Sequence, residues 1–338
     1  MARGSRAVNA TRPQEVPPKV SVVMLTYRHE KFITQAIESV LMQKTDFPFE
    51  LLIGEDKSPD ATRRIVEAYE RRHPGKIRLL AREQNLGMMR NFVDTYLRCR
   101  GTYVALLEGD DYWTCAQKLQ LQADALDAHP DWVICFHTVR FVTDDGSRPS
   151  YLFPSGRPEV STLDDLMEQN FMQTCSLMFR NGVVRSFPDW YFSLPVGDWP
   201  LSIMLAQHGR VGYLDRVMAD YRIHPGGVWA GRDPRFQLEQ SLRMLGQVRQ
   251  ILDPERAARL AARIARGYVE LAGLHADAGD PSKARAALWG QRRFASALRR
   301  GFPHKHALRE VLRIEAPIIL RALQWLRRLS RSRRARNL

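Results

Sequence analysis

Tyr103-Val104-Ala105-Leu106-Leu107-Glu108-Gly109-Asp110-Asp111-Tyr112-Trp113 is the stretch whose reading decides the fold. An unbroken apolar run this short reads as a strand buried on both faces, the pattern of a parallel sheet. It breaks abruptly into acidic residues and then an aromatic pair, so its carboxyl end is charged. Upstream, Val20 to Leu25 and Phe49 to Ile53 have the same texture, and Ile77 to Leu80 is a shorter version of it. Helical periodicity fills the intervals: Phe32, Ile33, Ala36, Ile37, Val40 and Leu41 share one face, Asp60 is placed to cap a second helix, and Asn85-Leu86-Gly87 turns into a third through Asn91 to Leu97. Strands alternating with helices imply βαβ units and an α/β, Rossmann-like, mostly parallel sheet flanked by helices. Ligands of such sheets bind beyond the carboxyl ends of the strands. Three polar clusters fall there, Thr26-Tyr27, Glu55-Asp56 and Glu108 to Asp111, and their coincidence argues for one shared site.

Downstream, Trp132 to Val142 and Thr174 to Phe179 read as strands, Leu163 to Met167 and Leu201 to Ala206 as helices, and Val211 to Tyr221 as a hairpin-like strand region. After about Pro234 glycine and proline thin out and the texture is all-helical. Tyr268 to Asp280, followed by Lys283-Ala284-Arg285, resembles half of a tetratricopeptide-type helical hairpin. The organisation expected is a basic leader without structure over residues 1–17, an α/β domain over 18–232, and a helical extension with a basic tail over 233–338. Hydrophobic residues make up 44% of the 338, enough for a sizeable core. The four cysteines form no CxxC or zinc spacing and read as buried free thiols in a reducing compartment. No apolar run is long enough to span a membrane, and no apolar segment follows the basic start as in a secretory signal. A net charge of +14 favours acidic partners: nucleic acid, anionic membrane or phosphorylated ligands.

Carboxylates massed at Glu108, Asp110 and Asp111 repel one another, and a hard divalent cation, Mn²⁺ or Mg²⁺, relieves that repulsion. Such an ion neutralises a diphosphate and improves it as a leaving group. A solvated acidic turn is the plainer alternative. Glu55 or Asp56 is placed to accept a hydrogen bond from a nucleobase, whereas Ser58 and Asp60 are equally good helix caps. Arg90 is placed to meet a base or a phosphate. Asp198, ahead of an amphipathic run, reads either as a helix cap or as a reactive carboxylate. His224 lies in a loop, Tyr221-Arg222-Ile223-His224-Pro225-Gly226-Gly227, within reach of a phosphate or metal.

Taken in order, Thr26-Tyr27, Glu55-Asp56-x-Ser58-x-Asp60, Asn85-x-Gly87 with Arg90-Asn91, Gly109-Asp110-Asp111-Tyr112-Trp113, Gly197-Asp198-Trp199 and Tyr221-Arg222-x-His224 resemble the inverting family-2 glycosyltransferases of the GT-A fold, of the bacterial surface-polysaccharide type. The resemblance covers about residues 18 to 232. It implies that Thr26 and Tyr27 line a nucleoside pocket and that Glu55 or Asp56 contacts the base with help from Arg90. Asn85 and Gly87 form a turn of the nucleotide-sugar site. Glu108 and Asp110 are the ends of a DxD-type motif, with Asp110, Asp111 and His224 at the metal. Asp198 matches the catalytic base. Three departures stand out: Lys57 where the turn usually has glycine, Glu55 where it often has aspartate, and Glu108 where the motif usually starts with aspartate. The Gln-x-x-Arg-Trp signature of processive synthases is absent.

The expected activity is metal-dependent, inverting, non-processive transfer of a hexose-type sugar from a nucleotide-diphosphate sugar to a glycan or lipid-linked acceptor, in the cytoplasm. The segment from Arg321 to Arg336, with Trp325 beside a polybasic run, has the makings of a peripheral anchor on anionic lipid at the inner membrane face, or of a solvated tail. A nucleotidyltransferase making nucleotide sugars is the nearest alternative, but the loop Thr26-Tyr27-Arg28-His29-Glu30 lacks the glycines that grip a nucleoside triphosphate. A basic nucleic-acid-binding or scaffold protein would explain the charge; no stacking platform accompanies it, and no nucleic-acid partner is expected.

Overall fold

The computed structural model describes residues 17–292 and Phe294. Residues 1–16 of the expected leader and the basic tail with Trp325 lie outside the described residues. The elements run β1 (Val20–Thr26), α1 (Ile33–Leu41), β2 (Phe49–Glu55), α2 (Thr62–Arg72), β3 (Ile77–Ala81), α3 (Met88–Tyr96), β4 (Tyr103–Glu108), β5 (Tyr112–Trp113), α4 (Lys118–Ala128), β6 (Trp132–Thr143), β7 (Tyr151–Phe153), β8 (Val160–Ser161), α5 (Leu163–Glu168), β9 (Met178–Arg180), α6 (Asp198–Ala206), β10 (Arg210–Ile223), α7 (Pro234–Val248), α8 (Pro254–Asp277) and α9 (Pro281–Arg292). One sheet runs in the order β3-β2-β1-β4-β9-β6-β10-β5, with β7 and β8 paired at its margins. The first four strands of that order are parallel, in register from Val20 opposite Phe49 to Thr26 opposite Glu55. The short antiparallel β9 joins them to the parallel pair β6 and β10.

Strand alternation explains the two layers around the sheet. Val20, Val22 and Met24 point into a core shared with α1, α2 and α4. Val23 points into the opposite core, with Phe92, Phe136, Ile203 and Leu205. Both faces of β1 are therefore covered, which is why its sequence is almost continuously apolar. Leu242, Leu245, Val248, Leu260 and Ile264 of α7 and α8 belong to the same core as Val23. The helices expected as an appendage thus share the interior of the sheet layer. On α8, Arg256, Arg259 and Arg266 recur along one side and reach Asp164 or Glu168 of α5.

Several local readings are corrected. Thr174–Ser176 is a 3-10 turn, and the strand that follows is only Met178–Arg180. The supposed hairpin at Val211 to Tyr221 is a single long strand, β10, bent by register shifts between Leu214 and Ala219. Asp60 is not the cap of α2, since Ala61 holds that position; its carboxylate instead accepts from Thr62 and Glu30 backbone N–H groups. All four cysteines are free, as expected, but Cys99 and Cys115 are only half-buried.

Candidate active site

The carboxyl ends of β1, β2 and β4 open into one cavity of about 1100 Å³. Its walls come from the β1–α1 loop, the Asn85–Gly87 turn, the acidic loop after β4, the entry to α6, the loop after β10, and α7 with α8. The Rossmann-like half supplies the expected nucleotide side. Thr26 is buried beneath it, and Tyr27 stands at the mouth, 38% exposed, with the Arg28 guanidinium over its ring. Gly109 permits the close approach here: a Cβ on it would come within 2.8 Å of both Thr26 Oγ1 and His29 Nδ1.

Asp56 and Glu55, left as alternatives by the sequence, have different surroundings. Asp56 lines the cavity, and its carboxylate accepts from the N–H groups of Leu86 (2.7 Å) and Gly87 (2.9 Å). Asn85 completes the clamp by donating from Nδ2 to the Asp56 carbonyl oxygen at 2.9 Å. Gly87, at φ +80°, takes the left-handed conformation that glycine accepts without strain. Glu55 is fully buried and does not line the cavity; it accepts from Ser58 N–H at 2.6 Å and Arg63 Nε at 2.5 Å. Glu55 thus holds the turn, and Asp56 is the one of the two that faces the cavity. Lys57, within that turn, sits at φ +58°, which gives the physical reason glycine is favoured there. Arg90 is exposed, lies over Phe192 at 5.2 Å and is not part of the cavity wall.

The acidic loop is held from two sides. Asp111 accepts from the Arg222 N–H at 2.8 Å, and Arg222 Nε donates to the Asp110 carbonyl oxygen at 2.8 Å. The Arg222 guanidinium also reaches Gln35 and packs between the rings of Phe32 and Tyr112. β10 thereby fixes the loop that ends β4. Asp110 Oδ2 lies 3.0 Å from His224 Nε2 and 3.5 Å from His29 Nε2. Burial pushes the His29 pKa down, partly opposed by the Asp110 charge and assisted by His224. Glu108 is pushed well above the usual carboxylate range by burial, and then by Asp111, Asp110 and Asp198; its Oε2 has no hydrogen-bond partner among the described residues. Burial also raises Asp198, against hydrogen bonds from the Trp199 N–H and Asn170. Asp198 is the first residue of α6 rather than its cap, which is Gly197. That places its carboxylate in the cavity wall beside Asn170, Trp199 and Leu201.

Among the described residues no three His, Cys, Asp or Glu side chains form a ready metal-ligand set. Asp110 with His224 supplies two candidates. Asp111, expected as a third, spends one oxygen on Arg222 and is 3% exposed. The orphaned Glu108 oxygen and the mutual repulsion of the carboxylates fit a cation at this loop. His29, Arg222 and Asn170 were not singled out as site residues from sequence. The signal for His29 was present, since it follows the end of β1; Asn170 lies in a stretch without pattern.

A largely parallel sheet with an acidic loop at its carboxyl edge, crossed by a later strand that pins that loop, defines a protein of the GT-A fold. Residues 21–186 match the family model described as Glycosyl transferase family 2, and the chain carries a glycosyltransferase domain of that family. "Uncharacterized protein Rv1520" of Mycobacterium tuberculosis is 38% identical over 210 residues, covering 62% of this chain and 60% of that protein. The chain thus spans about three fifths of that relative's length. "Putative teichuronic acid biosynthesis glycosyltransferase TuaG" of Bacillus subtilis is 26% identical over 210 residues, covering 61% and 79%. The structure of S. aureus TarS 1-349 in complex with UDP-GlcNAc superposes with a TM-score of 0.56 at 19% identity, covering 81% of this chain and 92% of that one, a likeness of fold.

Proposed function

We propose that this protein transfers a sugar from a nucleoside diphosphate sugar to an acceptor hydroxyl in a single inverting displacement. The observation that carries the reading is the continuity of the cavity: it joins the strand-end pocket of Thr26, Asp56 and Asn85 to the acidic loop and then to the buried Asp198. The TarS structure holds UDP-GlcNAc on the same fold, which supports a nucleotide-sugar donor. Thr26, Tyr27 and Asp56 form the nucleoside end, with Asn85 and Gly87 shaping the turn above it. Asp110 and His224 would hold a divalent cation, Mn²⁺ or Mg²⁺, which supplies charge neutralisation for the departing diphosphate. Glu108 would stand beside the donor sugar or ribose.

Asp198 is the base. It removes the proton of the acceptor hydroxyl as that oxygen attacks the anomeric carbon, on the side opposite the nucleotide. Its raised pKa brings it closer to the value at which a carboxylate is an effective proton acceptor near neutrality. Asn170, whose Nδ2 lies 3.5 Å from Asp198 Oδ2, orients it. The TuaG relationship supports an acceptor in cell-surface glycan assembly, and such an enzyme would work at the cytoplasmic face of the membrane. No helix among the described residues is long and apolar enough to cross a membrane.

Calorimetric titration with UDP, GDP, dTDP and CMP, each with and without Mn²⁺, tests the donor half. One nucleotide is expected to bind in a metal-dependent manner, and Asp110→Ala to abolish that dependence. Absence of binding by all four would leave the cavity without its proposed ligand.

A further inference from the structure

The cavity does not end at Asp198. It continues to α7 and α8, where Leu238, Ser241, Met244 and Arg263 form part of its wall. These helices lie beyond the residues matched by the family model, which stop at 186. Arg263 is unlike its neighbours on α8. Arg256 and Arg259 lie 3.2 and 3.3 Å from Asp164, and Arg266 lies 4.0 Å from Glu168. Arg263 has no carboxylate within ion-pair distance among the described residues. Its Nε donates to the Glu168 carbonyl oxygen at 2.8 Å, and its guanidinium lies over the Trp199 ring at 5.3 Å. The terminal nitrogens, the two that form a fork for a planar anion, make no hydrogen bond to the described protein.

Resting on the transferase reading above, we propose that Arg263 binds an anionic group of the acceptor, a carboxylate or a phosphate, and so selects acidic acceptor sugars. A guanidinium stays charged at neutral pH; Glu168 and Glu270 favour that charge from beyond ion-pair distance, and the terminal nitrogens are left free to meet a ligand. Burial is the largest influence on Arg263 and acts against its charge. Donor phosphate is not the natural partner. Arg263 lies over Trp199, the residue that follows Asp198, and so stands on the side of the cavity where the proposed base would hold the acceptor hydroxyl. The same cavity wall includes Asn170, Gln173, Ser241 and Trp229, neutral polar and aromatic residues that suit a sugar ring. The formal charge of +14 on the whole chain favours approach of an anionic acceptor.

The test is calorimetric titration of the full chain with methyl β-glucuronide, glucose 1-phosphate and neutral methyl β-glucoside, with and without Mn²⁺ and the nucleotide found to bind. The wild-type protein should bind one of the anions at least about tenfold more tightly than the neutral glucoside, as one charge-assisted contact provides. A glucuronide preference indicates a sugar-acid acceptor; a preference for the phosphate indicates a phosphorylated one. Arg263→Gln should erase the preference, Arg263→Lys should keep part of it, and Arg266→Gln, on the same helix but paired, should leave it unchanged. Equal binding of all three probes by the wild-type protein, or a preference that survives Arg263→Gln, overturns the proposal. Nucleotide binding is read in the same experiment: its loss with the anion preference intact would sink the donor assignment alone, and its retention without that preference would sink the role of Arg263 alone.

Discussion

At the scale of single residues, the most direct consequence concerns Asp198. Asp198→Asn keeps the shape of the side chain and removes its basicity, so turnover should fall by roughly 10²–10⁴ while nucleotide affinity stays near wild type. Full transferase activity in this variant would remove Asp198 from the mechanism. Lys118 offers a prediction about stability. Its ammonium is fully buried, lies 3.9 Å above the Trp113 ring and has no hydrogen-bond partner among the described residues. Burial lowers its pKa to about 7, whereas an unfolded lysine titrates at 10.5. Between those values the unfolded chain holds a proton that the folded one has released, so stability rises with pH across that window. Below about pH 7 both forms are charged, and the folded state carries the whole cost. Lys118→Met should therefore stabilise the protein by a few kcal/mol at neutral pH, less the ring contact with the ammonium, and the gain should shrink toward pH 10.5. Chemical denaturation of both proteins from pH 6 to about pH 10 checks it; a gain that is independent of pH would show that Lys118 is not the titrating group.

At the scale of elements, legibility follows the kind of signal each segment carries. β1, β2 and β4 were readable because burial on both faces leaves uninterrupted apolar runs, and the acidic loop was readable because charge follows such a run directly. β10 was misread as a hairpin because Arg210–Ile223 mixes polar residues and bulges with a strand pattern, and what makes it one strand is pairing with β6 far upstream. The same distance hid Arg222, whose hold on the acidic loop exists only once β10 is laid beside it. Glu55 and Asp56 are adjacent carboxylates at one strand end, and nothing local says which faces the cavity; strand alternation and Arg63 decide it. Gly212 shows how tightly β10 is set. A Cβ there would lie 1.7 Å from Trp132 Cε3, within a buried indole. Gly212→Ala must push β10 or Trp132 aside, with an expected loss of about 1–3 kcal/mol or more. Because β10 carries Arg222 and leads directly into His224, donor affinity should weaken as well. Unchanged melting and unchanged nucleotide binding would mean that the strand has room the structure does not show.

At the scale of the whole molecule, the helices after residue 233 are where sequence texture misleads most. An Ala-, Leu- and Arg-rich segment after a domain-like α/β stretch looks separable, because amphipathic periodicity reveals a buried face and not what buries it. Here Leu242, Met244 and Leu245 of α7 and Leu260 and Ile264 of α8 are almost wholly buried, in one cluster with Phe136, Phe171 and Leu201. A chain ending at residue 232 would expose the apolar face of α5 and α6 to water and lose the ion pairs to Asp164. At roughly 25 cal/mol per Å² of apolar surface, uncovering several such side chains costs as much as the net stability of an ordinary domain. The truncated protein should therefore aggregate or bind a hydrophobic dye such as ANS, and the full chain should lose protection from hydrogen exchange in α7 and in β6 together. A soluble, cooperatively folded 1–232 fragment that still binds nucleotide would make the helices a true appendage. It would also deprive the acceptor half of the cavity of its structural floor, since Ser241 and Arg263 reach the site only through that shared core.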